Sequence, residues 1–249
     1  MTIHGCRSCF FCKKKKFFSI LQRQEPEILG GRNLRKRKHK QEGGIAFLDT
    51  EFNATDYPEQ NNGHQEITQI GVVVFRRGKI EKTFLKYCKI SETSQLSKRS
   101  QEITGITPDI LDKFGIPFMQ AMEELNIFLA DCQKIYAFGS ADAIELRDTT
   151  KLNNGDIKTY SLINKIKDIR PIFAARLGLH FTYSLTDICR ICQVDHEGRA
   201  HSALNDAEDT GFAYYHMKSG LVSQELIQQL EAQKNKIRNL KKKQMTFEK

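Results

Sequence analysis

Short apolar stretches separated by polar residues and glycines predict four β-strands in this chain. Residues 45–48 and 135–138 are continuous apolar runs of the kind that forms buried strands. Residues 67–75 contain three consecutive valines, and residues 79–90 alternate between apolar and polar side chains, so both stretches are typical of strands. Because the dipeptide Arg77-Gly78 supplies a tight turn between them, the second and third strands are predicted to form a hairpin.

From residue 108 onward, apolar positions that recur every three or four residues predict mainly helices. Three strands followed by a helix–strand–helix unit and further helices indicate an α/β domain with a mixed sheet. The last helix has too few apolar heptads for a coiled coil, so we expect one amphipathic helix against the domain. The predicted helices span 108–114, 117–131, 142–151, 159–167, 171–178, 184–193, 202–219 and 221–245.

Charge is distributed unevenly along the chain. The 249 residues include 39 Lys and Arg against 30 Asp and Glu, a formal net charge of +9. Residues 1–44 carry 12 basic and 3 acidic residues and residues 218–249 carry 8 and 3, which leaves 19 and 24 in residues 45–217. An acidic body with two basic ends predicts an anionic partner such as nucleic acid. We expect a basic arm at 1–43, a folded domain at 44–217 and a basic C-terminal helix or tail after it.

The basic run 35–40 contains nothing apolar to bury, so it predicts a solvated, mobile arm. A phosphate-binding arm and a nuclear address are alternatives that the sequence leaves open. The composition excludes a collagen, a fully disordered chain and a disulfide-dense small protein. No window approaches the roughly 18 apolar residues that a membrane-spanning helix needs.

The seven cysteines are an odd number, and no secretory signal precedes them. A reducing compartment fits best, so we expect a cytoplasmic protein, or a nuclear one if the basic run is an address. His4, Cys6, Cys9 and Cys12 have a spacing that suggests a zinc or cluster site, but no second ligand pair lies near them, which argues against a metal role. Cys189 and Cys192 are predicted to pack as small apolar groups in a helix.

Two carboxylates follow the first strand in the segment Leu48-Asp49-Thr50-Glu51-Phe52. Successive strand side chains point to opposite faces, so Asp49 and Glu51 are predicted to lie on the same face. Like charges so close repel each other, and a hard divalent cation with oxygen ligands would remove that cost. The alternative is an exposed sheet edge whose acids face water.

A third acid follows the fourth strand in the segment Phe138-Gly139-Ser140-Ala141-Asp142. A glycine at this place permits close backbone approach, and Asp142 comes where the next helix is expected to start. Asp142 is therefore either a site residue or simply the N-cap of that helix.

The last pair of candidates lies at the start of the predicted helix 202–219. Asp206 is in its early turns, and the small residues Ala203, Ala207 and Gly211 let the helix press close to the sheet. His201 precedes the helix by one residue and lies five residues from Asp206. An ordinary surface or core histidine is the alternative for His201.

Together, these five residues resemble the signature of the DEDDh 3′–5′ exonucleases over about residues 44–217. Segments 102–107 and 195–207 are similar to the "TGIT" and "GRxHxAxxDA" segments of the histone-mRNA and small-RNA 3′-exonuclease branch and its bacterial relatives. The resemblance implies a ribonuclease-H-like fold, with a mixed sheet of about five strands flanked by helices. The signature residues are Asp49, Glu51, Asp142, His201 and Asp206.

The resemblance also implies a two-metal mechanism with Mg²⁺ or Mn²⁺, which suit carboxylates better than zinc does. Asp49 would bridge the two ions, Glu51 and Asp206 would complete the first ion's ligands, and Asp142 would hold the second. His201 would accept the proton of the attacking water.

Thr50, Ile106 and Phe138 would border the terminal nucleotides, although Ile106 and Phe138 fit the core equally well. The expected activity is metal-dependent removal of nucleoside 5′-monophosphates from a nucleic acid with a free 3′ end, with RNA favoured over DNA. A DNA-proofreading or DNA-repair exonuclease and a catalytically inactive nucleic-acid-binding module are the alternatives.

Overall fold

The computed structural model describes residues 43–53, 65–92, 94–195 and 201–247. The predictions for residues 1–42, which include Cys6, Cys9, Cys12 and the basic run 35–40, therefore lie outside the described residues and stay predictions. Among the described residues, no helix combines the length and the apolar character needed to span a membrane.

One mixed sheet forms the centre of the domain. Its strands are β1 (Gly44–Asn53), β2 (Glu66–Arg76), β3 (Lys79–Cys88), β4 (Gly115–Ile116), β5 (Cys132–Ala137) and β6 (Ile166–Asp168). They are arranged in the order β4–β3–β2–β1–β5–β6. β1 and β2 pair antiparallel, as do β2 and β3, whereas β5 lies parallel to both β1 and β6, and β4 parallel to β3.

Helices cover both faces of this sheet. In the described part of the chain they are α1 (Lys98–Thr104), α2 (Pro108–Phe114), α3 (Phe118–Phe128), α4 (Ala141–Leu152), α5 (Ile157–Ile163), α6 (Arg170–Leu177), α7 (Leu185–Ile191), α8 (Ala203–Lys218) and α9 (Gln224–Phe247). The architecture confirms the α/β class and the mixed, ribonuclease-H-like sheet, which has six strands where about five were expected.

The central strands bury side chains on both faces, so two cores form on opposite sides of the sheet. Ala46 and Leu48 of β1 point into one core, which is largely aliphatic and is closed by α3, α4 and α5. Phe47 points into the other, which is rich in aromatic residues and is closed by α6, α7, α8 and α9. Because side chains alternate along β1, Asp49 and Glu51 lie on the Phe47 side.

Most local predictions are confirmed. The turn between β2 and β3 has Arg77 at φ 53° and Gly78 at φ 76°, the positive values that a two-residue hairpin turn requires. Ser184 and Asp187 form a capping box at the start of α7, where the helix 184–193 was predicted to begin. Cys189 and Cys192 are buried in the aromatic core, as their predicted packing role requires.

Three short elements were not predicted, and one helix was placed wrongly. β4 has two residues and β6 has three, which is too short for a periodic pattern, and α1 contains only one apolar residue, Ile103. The predicted helix 159–167 ends at Ile163, and the chain then enters β6 at Ile166.

The C-terminal helix α9 packs against the domain through its first half. Ile227 is buried in the aromatic core, and Leu226 and Leu230 are partly buried against it. Farther along the helix, Ile237 and Leu240 are exposed. The predicted amphipathic helix is therefore confirmed, and its described apolar residues that pack on the core lie in its first half.

Candidate active site

β1 delivers two carboxylates to one side of the sheet at its C-terminal end. Asp49 is half-buried, and Glu51 is buried with 8% of its surface exposed. One ligand oxygen from each of Asp49, Glu51 and Asp206 lies within 4.8 Å of the others, so a single cation fits among them. The predicted placement of Asp49 and Glu51 on the same face is therefore confirmed.

Asp206 reaches this cluster because α8 packs unusually close to the sheet. Gly71, which pairs with Asp49 across β1 and β2, would with a Cβ atom come within 2.2 Å of the Ala203 carbonyl carbon. The Ala203 backbone N–H donates to the buried Oε1 of Gln69 at 2.9 Å, which fixes the start of the helix on β2. Gly211 makes a second close approach, since a Cβ there would lie 2.3 Å from the Phe75 ring.

Asp142 is buried beside the cluster, in the first turn of α4. Its Oδ1 accepts hydrogen bonds from Thr50 N–H at 2.9 Å and from Thr50 Oγ1 at 2.8 Å. The N-cap position of α4 belongs to Ser140, so the N-cap alternative for Asp142 is wrong. The carboxylate is instead tied to β1, between Asp49 and Glu51.

Burial and mutual repulsion make these acids hard to ionise. Burial, followed by the charges of Asp142, Asp206 and Glu51, raises the pKa of Asp49 well above its usual value. Burial and the charges of Asp206 and Asp142 raise the pKa of Glu51 to about 8. The pKa of Asp142 is also raised, mainly by burial, although its hydrogen bonds from Thr50 act in the opposite direction.

This donor set fits a hard divalent cation. All the ligand atoms are carboxylate oxygens, which Mg²⁺ and Mn²⁺ prefer, and a bound cation would reverse the repulsion that raises the pKa values. Asp49, Glu51 and Asp206 supply the closest set of oxygens, and Asp142 adds a fourth carboxylate held by Thr50.

His201 is placed at the entry to α8 and is exposed. Its backbone is in the left-handed region, with φ 63°, and it turns the chain into Ser202, the N-cap of the helix. His201 is not among the residues that the carboxylate cluster brings together. Its predicted role as the general base stays a prediction.

The three predicted substrate contacts have different surroundings. Thr50 is buried, and its hydroxyl is used to hold Asp142. Ile106 is 3% exposed, as a core residue would be, just after α1. Phe138 is partly buried, packs against Phe173 with ring centroids 6.3 Å apart, and lines a cavity described below.

Several residues that shape this region were missed by sequence reasoning. Gln69 and Gly71 lie on β2, which contributes no carboxylate to the cluster. No motif in the sequence therefore marked them as site residues. Asp168 and Arg170 flank the end of β6, and the Arg170 guanidinium lies over Gly139. The sequence does place an acid and a base, Asp168 and Arg170, with one residue between them. That spacing was not recognised as part of the site because β6 has only three residues and was not predicted as a strand.

Comparisons with known proteins agree with this geometry. The model of the family described as "Exonuclease" (RNase_T) matches residues 46–213, more than half of the chain. No match is found among curated protein sequences.

Three solved structures illustrate the similarity of fold. The nuclease domain of 3′hExo, a DEDDh family member bound to rAMP, is 22% identical with a TM-score of 0.64, covering 73% of this chain and 94% of that one. Cell-death related nuclease 4 (CRN-4) is 20% identical with a TM-score of 0.59, covering 72% and 64%. E. coli exonuclease I with a dT13 oligonucleotide is 17% identical with a TM-score of 0.55, covering 70% and 40%.

The carboxylates of β1, α4 and α8 all lie within the span that the family model matches. The chain therefore belongs to the exonuclease family (RNase_T), in agreement with the resemblance to the DEDDh 3′–5′ exonucleases.

Proposed function

We propose that the protein is a metal-dependent 3′–5′ exonuclease that releases nucleoside 5′-monophosphates, with RNA as the favoured substrate. The observation that carries this proposal is the cluster of Asp49, Glu51 and Asp206, whose oxygens converge within 4.8 Å in a domain of the exonuclease family. Intact carboxylates argue against the alternative of an inactive binding module.

Each residue has a defined part in the proposed reaction. Asp49, Glu51 and Asp206 would hold one divalent ion, and Asp142, oriented by Thr50, would hold a second. The ions would supply an activated water and charge stabilisation at the leaving oxygen. His201 would take the proton from the attacking water as the general base.

The preference for RNA is supported by the sequence resemblance and by two structural neighbours. One neighbour is described as a 3′-exonuclease that recognises the 3′ end of a histone mRNA stem-loop, and another was solved with rAMP. A DNA exonuclease is the second candidate, because E. coli exonuclease I was solved with the DNA oligonucleotide dT13. Cytoplasmic location stays a prediction.

One assay tests the proposal. Single-stranded RNA, single-stranded DNA and a duplex with a 3′ overhang, each labelled at the 5′ end, are incubated with the full chain in Mg²⁺, in Mn²⁺ and in chelator. We expect a ladder that shortens from the 3′ end, fastest on RNA, and no cleavage in chelator. Asp49→Ala should reduce the rate by at least about 1000-fold, because it removes the central ligand of the charge-stabilising site.

The outcomes separate the candidates. Faster cleavage of DNA than of RNA would favour the second candidate. Binding of all three substrates with no product in Mn²⁺ would favour the binding module. Full activity of Asp49→Ala would exclude the carboxylate cluster as the site, and full activity of His201→Ala would exclude His201 as the base.

A further inference from the structure

A cavity of about 330 Å³ lies where β5 leads into α4, next to the segment 179–183. Its apolar wall combines aliphatic side chains with the rings of Phe138, Phe173, Phe181 and Tyr183, and its polar side includes Asp168 and Arg170. Phe138 precedes Asp142 by only four residues, so the cavity begins beside the carboxylates. We call it the aromatic cavity.

Arg170 is held rigidly between the cavity and the active site. Its Nε and Nη2 donate to the two carboxylate oxygens of Asp168 at 2.7–3.0 Å, and its backbone N–H donates to Asp168 Oδ1. The guanidinium lies over Gly139, whose missing Cβ would be 3.2 Å from the guanidinium carbon. Gly139 has φ 122° and belongs to the turn that leads to Asp142.

The exposed edge of Arg170 is available to a ligand. The side chain is 39% exposed, and Nη1 takes no part in the pair with Asp168. The hydrogen bonds that Arg170 donates to Asp168, together with the charges of Asp168 and Asp142, raise the pKa of Arg170 above its usual value. A fixed positive charge therefore stands beside acids that a nucleic-acid backbone must approach.

Helix α9 packs against the segment 179–183, which lines the same cavity. Glu231 accepts hydrogen bonds from the His180 backbone N–H at 3.0 Å and from the Tyr183 hydroxyl at 2.7 Å, which docks the helix on segment 179–183. Lys234 Nζ donates to the Thr182 carbonyl at 2.6 Å and lies 4.3 Å from the centre of the Tyr183 ring. The Arg238 guanidinium lies 5.4 Å from the Phe181 ring centre.

These cations continue along one face of the helix. Lys234, Arg238 and Lys241 are spaced by four and three residues, which places them in a row on the helix surface. Fixed positive charge next to an open aromatic wall is the combination that binds single-stranded nucleic acid, since phosphates pair with the cations and bases stack on the rings. The chemistry suits a flexible strand better than a duplex, whose bases are already stacked.

Resting on the proposed function, we propose that Arg170, the aromatic cavity and the Lys234–Arg238–Lys241 row form a track that binds the single strand 5′ of the nucleotide in the active site. Arg170 contacts the first phosphate upstream, Phe181 stacks a base, and α9 guides the phosphates that follow. α9 begins after residue 213, where the family match ends, so the track adds a segment outside that match.

The track predicts an affinity that depends on strand length. Fluorescence anisotropy is measured with 5′-labelled single-stranded RNA of about 4 and about 16 nucleotides, in Ca²⁺ to limit hydrolysis. Lys234→Met/Arg238→Met keeps the apolar stems over the rings but removes both charges. We expect about tenfold weaker binding of the long strand, little change for the short one, and a salt slope smaller by about 1.4.

A matched control removes two charges elsewhere. Lys158→Met/Lys165→Met makes the same change at exposed positions on and after α5, which covers the opposite face of the sheet. Phe181→Leu should weaken binding of the long strand several-fold without changing the salt slope, because it removes stacking and no charge. Melting temperatures of all variants report whether α9 remains docked.

The results distinguish the track from the exonuclease function itself. Equal effects of the two double variants would overturn the track while leaving hydrolysis by the wild-type chain in place. Length-dependent binding by a wild-type chain that does not hydrolyse, if Lys234→Met/Arg238→Met loses that length dependence, would support the track and contradict the exonuclease. If Lys234→Met/Arg238→Met lowers the melting temperature, Lys241→Met decides alone, because it lies beyond the docking contacts. An unchanged salt slope in Lys241→Met would then overturn the track.

Discussion

Glu51 is buried and Glu231 is partly buried, and the two glutamates have opposite electrostatic surroundings. Glu51 is 8% exposed, and burial followed by the charges of Asp206 and Asp142 raises its pKa to about 8. The side chain of Glu231 is 15% exposed, yet its pKa is lowered. Burial alone therefore does not decide how a carboxylate behaves in this fold.

The difference lies in what surrounds each group. Burial acts to raise the pKa of Glu231, but hydrogen bonds from the His180 backbone, the Tyr183 hydroxyl and the His180 ring outweigh it. Glu51 is surrounded by other acids. A partly buried carboxylate that accepts hydrogen bonds, such as Glu231, stabilises the fold. A carboxylate buried among other acids, such as Glu51, destabilises the fold, which indicates a role in binding a ligand.

Among these variants, we expect replacement of Glu51, which other acids surround, to have the largest effect on the free energy of unfolding. Between its usual pKa of 4.5 and the folded value of about 8, Glu51 is protonated in the folded state and ionised in the unfolded state. The stability that this proton provides is complete below pH 4.5 and is lost as the pH rises through 8. In chelator, urea denaturation should show a loss on the order of 2–4 kcal/mol over this range that Glu51→Gln largely removes.

The same denaturation experiment can be repeated with Mg²⁺ in place of chelator. A bound cation favours the ionised acids, so Mg²⁺ should stabilise the wild-type protein more at pH 8 than at pH 5. A wild-type stability that does not fall with pH in chelator would contradict the account of the cluster.

Replacing Glu231, which accepts hydrogen bonds from several donors, should lower the free energy of unfolding by a smaller amount than the pH-dependent loss expected for Glu51. Glu231→Gln replaces charged hydrogen bonds to His180 and Tyr183 with neutral ones, so we expect a loss of about 1–3 kcal/mol in urea denaturation at pH 7. Glu225→Gln, an exposed position in the first turn of the same helix, is the control and should change stability by less than about 0.5 kcal/mol. Equal losses in both variants would mean that Glu231 does not anchor α9.

We expect the smallest effect for a change beside Asp142, the acid that accepts two hydrogen bonds from Thr50. Thr50→Val removes the hydroxyl donor to Asp142 and leaves the backbone donor in place. Losing one such bond corresponds to about 1.4 kcal/mol, so hydrolysis should slow about tenfold. Thr50→Ser restores the hydroxyl and should recover most of the rate, whereas equal rates for Val and Ser would show that the hydroxyl does not position Asp142.

The sequence predicted those parts of the fold whose pattern is local. β1, the β2–β3 hairpin and α8 each contain enough residues for their period to be visible, and the alternation along β1 correctly placed Asp49 and Glu51 together. α1 was missed because Ile103 is the one apolar residue among its seven, so it has no apolar stripe. β6 was missed because three residues cannot display a period.

The unpredicted features of the site depend on contacts between distant segments. The hydrogen bonds of Thr50 to Asp142 join residues 92 positions apart, and that of Ala203 to Gln69 joins residues 134 apart. Arg170 is important only because β6 lies beside β5, which brings it over Gly139. Hydrophobic patterns along the chain do not predict which distant residues will be in contact. The resemblance to a family identified the acids but not the residues that position them.

Gly71 has a consequence for how proteins of this kind can lose activity. The space that its side chain would fill is taken by the backbone of Ala203 and Leu204, at the start of the helix that carries Asp206. Any larger residue at position 71 must push that helix outward and separate Asp206 from Asp49. An inactive exonuclease could therefore arise with every signature acid intact, and a search for those acids alone would still count it as an enzyme.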